Sequence, residues 1–281
     1  MGVPHRVGVI GGGRMGAGIA HAFLSSGAHV TISEATDHAA RAARERVSAS
    51  LRRAQERGTL RDSVDHVTTR FRTVTTIEAL SQCELIVEAV PETVALKQEV
   101  LAAAEAVAPT GVLATNTSSL SVSLIASALR RPHNLVGLHF FNPVPASELV
   151  EIVVGSTTPD SLVNLAVTWV AGLGKTSIVV KDLPGFASSR LGVALALEAM
   201  RMVEQNVASA ADIDTAMTLG YRHPMGPLRT TDIVGLDVRL AIAEHLTLEL
   251  GPRFAPPEIL RAKIAAGELG RKTGKGFFEW K

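Results

Sequence analysis

The sequence predicts an α/β fold, with a doubly wound sheet followed by an all-α C-terminal domain. Short apolar strands alternate with helical stretches over the first two thirds of the 281 residues. A glycine-rich turn joins the first strand to the first helix, and beyond Asp182 strand patterning stops while helical patterning continues. Apolar strands linked by helix-length crossovers belong to a parallel sheet covered on both faces.

Residues 7–10 (VGVI) read as a first buried strand, and residues 16–26 as an alanine-containing helix. The turn at Ser26 and Gly27 introduces a second strand at 29–32, and a long Arg/Ala-rich helix follows over about 38–57. Residues 84–89 form a third strand; 111–115, 135–140, 149–154 and 176–180 are further short apolar runs bounded by turn residues or helical stretches. The sheet therefore has about seven or eight strands. Residues 185–206, 210–220 and 235–250 are helical, with no clear strand among them. Leu183-Pro184-Gly185 is the natural joint, because proline biases the preceding residue out of the helical region and glycine admits unusual dihedrals. The expected domains are 1–183 and 184–281.

A 46% hydrophobic content fills a substantial core. Lys plus Arg total 28 against 27 Asp plus Glu, so the net charge of +1 gives no reason to expect nucleic acid or an anionic membrane as partner. Small molecules are the expected partners. The single Cys83 excludes an intramolecular disulfide and a multi-cysteine metal site, in keeping with a reducing compartment, and the cytoplasm is the expected location. The first apolar run stops at glycines far short of a signal-peptide core, and no window approaches the roughly 20 apolar residues of a membrane span. The histidines show no metal-ligand spacing, so no metal is expected.

Gly11, Gly13 and Gly16 form a Gly-x-Gly-x-x-Gly pattern between strand and helix. In that context Gly11 permits the tight turn, Gly13 admits a pyrophosphate to the backbone, Gly16 allows close helix packing, and the helix N-terminus offers free N–H groups. Glu34, at the end of the second strand and 21 residues beyond Gly13, is placed to accept hydrogen bonds from ribose hydroxyls. A carboxylate there repels a 2′-phosphate, so the pattern reads as a Rossmann-type site for NAD rather than NADP.

From His139 the chain reads His139-Phe140-Phe141-Asn142-Pro143-Val144-Pro145, then Leu149-Val150-Glu151. Together with Glu88-Ala89, Pro91-Glu92, Asn116-Thr117-Ser118-Ser119, Pro184-Gly185-Phe186, Pro224-Met225-Gly226-Pro227 with Asp232, and Gly274-Lys275-Gly276-Phe277-Phe278, it resembles the 3-hydroxyacyl-CoA dehydrogenase family from end to end. Smaller bacterial members of that family are 3-hydroxybutyryl-CoA dehydrogenases. The resemblance implies that His139 removes the proton of the substrate 3-hydroxyl while C3 gives a hydride to nicotinamide, with Glu151 paired to the imidazole. Histidine suits the task, since its ordinary pKa lies near neutrality and a carboxylate on its other nitrogen fixes the tautomer. Read alone, a histidine beside two phenylalanines is a core residue; the surrounding pattern makes it the base.

Similarity further places Ser118 near the substrate hydroxyl and Asn142 near the nicotinamide, although each also reads as an ordinary turn residue. It puts Arg14, Met15, Ala89, Val90, Glu92, Lys97, Asn116 and Lys272 at the cofactor, with solvated surface charge as the other reading of Glu92, Lys97 and Lys272. Ser50 and Arg57 align with contacts to coenzyme A, and Arg52, Arg53 and Arg57 form either a phosphate site or a solvated helix face. The chain departs from the family at Ser189, where an asparagine counted with the catalytic residues is usual, and a serine hydroxyl replaces an amide's separate donor and acceptor. An acyl group carried by coenzyme A or by an acyl carrier protein is the expected substrate. A free hydroxy acid, or a non-catalytic NAD-binding protein, is the competing reading. The C-terminal helices are expected to form a homodimer and to contribute to substrate binding.

Overall fold

A computed structural model describes residues 2–280; Met1 and Lys281, at the outer limits of the two expected domains, lie outside them. The chain divides into two compact units, 1–182 and 183–281.

The first unit is built on eight strands: β1 (Arg6–Ile10), β2 (His29–Ser33), β3 (Phe71–Val74), β4 (Leu85–Glu88), β5 (Val112–Thr115), β6 (Leu135–Phe140), β7 (Leu149–Val154) and β8 (Thr176–Lys181). Their order in the sheet is β3-β2-β1-β4-β5-β6-β7-β8. The strands from β3 to β6 are mutually parallel, and the helices α1 (Arg14–Ser25), α2 (Asp37–Glu56) and α4 (Val94–Val107) make long crossovers between them; a short helix α3 (Val64–Thr68) follows α2 before β3, and a short α5 (Val122–Ala126) lies between β5 and β6. The sheet is parallel, as expected, except at its far edge, where β7 runs antiparallel to β6 and β8 follows β7. Only residues 141–148 join β6 to β7, too few for a parallel crossover of a dozen residues or more. Helix α6 (Asp160–Gly172) supplies that length between β7 and β8, which are parallel.

β3 was not expected from the sequence. Its residues, Phe71-Arg72-Thr73-Val74, are buried, exposed and then twice half-buried at the sheet edge, and carry little apolar weight. The central strands β1 and β4 are buried on both faces apart from Arg6, and Val7, Val9, Leu85 and Val87 pack with Ile19, Phe23 and Leu24 of α1 and Val47 and Leu51 of α2 in one core. Burying each such side chain stabilises the fold by about 1.5–3 kcal/mol.

The second unit is helical: α7 (Ser188–Glu204), α8 (Ala210–Thr215), α9 (Pro227–Val234), α10 (Leu236–Leu250) and α11 (Glu258–Ala265). Val193, Leu197 and Met200 of α7 meet Leu228 of α9, Leu246 of α10 and Leu260 of α11 in a separate core. Asp232, fully buried, ties the C-terminal segment down by accepting from the Phe277 and Phe278 backbone N–H groups (2.8 and 2.9 Å) and the Trp280 indole (2.8 Å). Among the described residues no helix is long and apolar enough to cross a membrane.

Candidate active site

Parallel strands present their carboxyl ends along one edge, and the predicted cofactor residues of the first unit lie around it. The chain leaves β1 through Gly11, whose φ of +89° suits glycine alone, and a Cβ there would lie 2.9 Å from the Ala89 carbonyl. A Cβ on Gly16 would overlap the Gly11 carbonyl, whereas Gly13 faces open space. Gly13 also precedes α1 without a side-chain cap, so the first-turn N–H groups and the positive end of the helix dipole remain available to an anion. A cavity of about 860 Å³ opens at this turn, lined by Gly11, Gly13, Arg14 and Met15 on one side and by Ala89 and Val90 on the other. Glu34, at the end of β2, borders it and accepts a hydrogen bond from the Gly12 N–H at 2.5 Å through Oε1. Space, bare backbone and Glu34 at the end of β2 fit a dinucleotide with an unphosphorylated ribose.

Behind this cavity, Lys97 is 1% exposed, which corrects the reading of it as a solvated surface charge. Its Nζ lies 2.7 Å from Glu88 Oε1 and 3.2 Å from Glu92 Oε2. Glu88, fully buried, also accepts from the Thr115 hydroxyl (2.6 Å) and the Val90 N–H (2.7 Å). Sequence reasoning had no role for Glu88, because a charged residue inside a buried strand declares itself only through its partners. Glu92 Oε1 accepts from the Thr117 hydroxyl (2.6 Å) and from the Ser118 and Ser119 N–H groups (2.8 and 3.1 Å), with the Ser118 hydroxyl at 3.3 Å. Burial alone would raise the Glu92 carboxyl, but Lys97 and the hydrogen bonds from Thr117 and Ser118 outweigh it and hold the group below its usual range. Asn116 links two strand ends, its Oδ1 accepting from the Phe140 N–H at 2.9 Å.

The most specific expectation concerned His139 and Glu151, and the β-ladder brings them together. In the antiparallel pairing of β6 with β7 they stand directly opposite each other. The His139 Nδ1 and Glu151 Oε2 atoms lie 2.7 Å apart, with His139 6% exposed and Glu151 fully buried. A carboxylate only accepts, so it takes the Nδ1–H and leaves the basic lone pair on Nε2.

A second cavity of about 370 Å³ shares Arg14 with the first and is lined by Asn142, Ser50, Arg46 and Arg53. Of the predicted basic cluster only Arg53 lines it; Arg57 caps the end of α2, and Arg52 does not reach the cavity. Arg46 was missed, although Arg46, Ser50 and Arg53 follow the i, i+4, i+7 spacing of one helix face. The Ser50 hydroxyl lies 2.9 Å from His21 Nδ1. Burial, reinforced by Lys175 and Arg53, lowers His21 to about 4 and keeps it neutral at pH 7. In the second unit, Lys272 is paired with Asp237 at 2.5 Å, and Ser189 sits half-buried in the first turn of α7. Among the described residues no three His, Cys, Asp or Glu side chains are grouped to hold a metal ion.

Residues 6–183 match the NAD binding domain of 3-hydroxyacyl-CoA dehydrogenase, and residues 185–280 match the C-terminal domain of the same enzyme. A 3-hydroxybutyryl-CoA dehydrogenase of Mycobacterium tuberculosis is 39% identical over 280 residues, spanning 98% of both chains. A probable 3-hydroxybutyryl-CoA dehydrogenase of Deinococcus radiodurans is 38% identical over 277 residues, spanning 98% of this chain and 100% of that one. The crystal structure of (S)-3-hydroxybutyryl-CoA dehydrogenase from Ralstonia eutropha superposes with a TM-score of 0.94 at 34% identity, covering 99% of each chain. With both domains matched in order along one chain, and relatives similar over nearly its full length, the protein belongs to the 3-hydroxyacyl-CoA dehydrogenase family.

Proposed function

We propose that the protein interconverts a 3-hydroxyacyl-CoA thioester and its 3-oxoacyl form with NAD as redox partner, and that His139 is the general base. The observation that carries this reading is the buried 2.7 Å pair of His139 and Glu151 at the carboxyl edge of the sheet. Nε2 of His139 takes the proton of the 3-hydroxyl, and Glu151 stabilises the resulting imidazolium without itself being protonated. When bound, NAD accepts the hydride that leaves C3. His139 then releases its proton to solvent, and in the reverse direction the protonated ring donates to the forming alkoxide.

Around that centre Glu92 fixes the backbone and hydroxyl of Ser118 beside the substrate hydroxyl. Asn142 stands between the nicotinamide and the acyl group. Glu34 keeps Oε1 on the Gly12 N–H and offers its other oxygen to the ribose. Arg14, Arg46 and Arg53 give the second cavity a positive wall suited to the phosphates of coenzyme A, with Ser50 between them. Ser189, in the first turn of α7, stands at the position of the family's asparagine. In the C-terminal unit Leu191, Leu219, Tyr221 and Leu248 are 71, 78, 77 and 86% exposed, which supports a homodimer formed through that unit. The one buried, free cysteine, Cys83, suits the cytoplasm.

The test is NADH oxidation measured with acetoacetyl-CoA, the same acyl group on an acyl carrier protein, and free 3-oxo acids. The expected result is turnover of the coenzyme A thioester above the other two. Turnover confined to free acids would overturn the proposal.

A further inference from the structure

At the edge of the sheet opposite the dinucleotide cavity, where β1, β2 and β3 begin, the first unit gathers positive charge that hydride transfer does not use. In the parallel ladder Arg6 pairs with His29, and Thr31 pairs with Arg72. Side chains two apart on a strand share a face, so Arg6, His29, Thr31, Arg70 and Arg72 stand on one side of the sheet. Gly8 lies on the same side, and a Cβ there would come within 3.1 Å of Leu80 Cδ2 and 3.3 Å of Cys83 Sγ, so the segment that covers this face sits close. Between the two remains a cavity of about 290 Å³, lined by those five residues together with His5, Gln82 and Cys83. No aspartate or glutamate among the described residues lines it.

Neutral acceptors hold the guanidinium groups. Arg72 donates from Nε to the Thr31 hydroxyl (2.9 Å) and from Nη2 to the Ala79 carbonyl (3.2 Å), Arg70 from Nη2 to the Leu24 carbonyl (3.2 Å), and Arg6 from Nη1 to the Gln82 side chain (3.5 Å). Such dipoles fix direction without cancelling charge. Among the described residues Arg6 and Arg72 enter no ion pair, and Arg70 meets only Asp62, at 3.7 Å, a carboxylate that is 53% exposed. Glu84, the other acid nearby, accepts from the His5 N–H at 3.0 Å and lies outside the cavity. The Arg70 side chain is 14% exposed, and its Nε is buried without a hydrogen-bond partner. An unpaired buried donor is costly, and like charges side by side on a sheet repel, so the arrangement lacks an anion.

We propose that this cavity is a second ligand site, separate from the dinucleotide and acyl sites, and that it takes a pyrophosphate group, either free or carried by a nucleotide. Three guanidinium groups call for a ligand of two or three negative charges, whereas a lone carboxylate would neutralise only one of them. A guanidinium presents parallel N–H groups that match phosphate oxygens, and the three here come from two strands and the residue before β3, so the ligand is gripped from several directions. The anion supplies the counter-charge that Arg6, Arg70 and Arg72 lack. The volume falls just below the range of small-molecule pockets, about 300–1,000 Å³, which suits a compact phosphate-bearing molecule.

The experiment is calorimetric titration of inorganic pyrophosphate into the full chain, with NADH kept saturating so that the glycine turn is occupied. Wild type should bind it saturably, and Arg72→Met should weaken that binding by about 10- to 100-fold, the worth of hydrogen bonds to a charged group. Arg6→Met, which gives up a single long bond within the protein, should melt as wild type does and bind about 2- to 5-fold more weakly, so the outcome does not hang on the folding of one variant. Arg53→Met, in the cavity assigned to coenzyme A, should change the affinity less than about twofold. A parallel titration with ADP distinguishes the sources: tighter binding of ADP, equally sensitive to Arg72→Met, identifies a nucleotide, and tighter binding of pyrophosphate a free phosphoanhydride. No saturable binding at millimolar concentration overturns the proposal. So does an affinity that Arg72→Met leaves unchanged, or that Arg53→Met lowers as much, because the anion then sits elsewhere or answers only to overall charge.

Discussion

Glu151→Gln isolates the contribution of one buried carboxylate to the chemical step. Its oxygen lies 2.7 Å from His139 Nδ1, and the two side chains are 0% and 8% exposed, so solvent screens the pair little. Once Nε2 has taken the substrate proton, the charge centres of imidazolium and carboxylate are about 4 Å apart; at an effective dielectric constant of about 20 their attraction is about 4 kcal/mol. The glutamine amide keeps the shape and a neutral hydrogen bond of about 1 kcal/mol. The net loss of about 3 kcal/mol corresponds to a rate lower by about 150-fold. Single-turnover formation of NADH, followed by stopped-flow absorbance, reads the chemical step directly, and fluorescence titration reads NADH binding, which should change less than about twofold. A variant whose chemical step slows by less than about fivefold, or whose NADH affinity falls in parallel with its rate, would show that Glu151 acts on folding or cofactor binding rather than on the imidazolium.

Glu34 beside the ribose position is expected to give a preference for NADH over NADPH of about 1–3 kcal/mol, and equal kcat/KM for the two cofactors would refute that role. Lys97→Met leaves Glu88 buried without its ion pair and should cost about 3–5 kcal/mol in urea denaturation; a loss below about 1 kcal/mol would mean that Thr115 and the Val90 N–H suffice for the carboxylate. His21 is lowered from 6.5 to about 4, so the unfolded chain takes up its proton first on acidification. Its contribution to stability is complete above about pH 6.5 and is lost between there and about pH 4, with about 2 kcal/mol gone by pH 5. A His21→Gln chain should lose that much less between pH 7.5 and 5, and matching losses in the two proteins would exclude His21 as the source.

The glycine turn, the acid at the end of the second strand and the histidine pattern were legible because each depends on residues close in sequence and on rules that act locally. Gly11 and Gly16 are needed where backbone meets backbone, and Glu34 is located simply by where β2 stops. Other features depend on tertiary neighbours. Lys97 looks like any helix-surface lysine until β4 places Glu88 beneath it. The reversal of β7 was implicit in the eight residues that separate it from β6, a distance that forbids a parallel return. Phe71–Val74 went unseen because an edge strand needs only one apolar face, and two of its four positions are polar. Arg46 is within reach of the helical period, but closeness in the chain groups Arg53 with Arg52 and Arg57 and hides the helix face it shares with Arg46 and Ser50.

The pairing of His139 with Glu151 is a matter of parity. Side chains on a strand alternate between two faces, so the imidazole meets the carboxylate only while β6 and β7 keep their register modulo two. A single residue inserted within either strand turns one partner to the opposite face, severing the pair although no catalytic residue has changed. The same insertion among residues 141–148 is absorbed by the connecting loop and leaves the ladder as it was. Length variation in this stretch of the chain is therefore tolerated or ruinous according to which side of a strand end it falls, and the boundary between the two outcomes is drawn by the hydrogen-bond ladder rather than by distance from the reacting carbon.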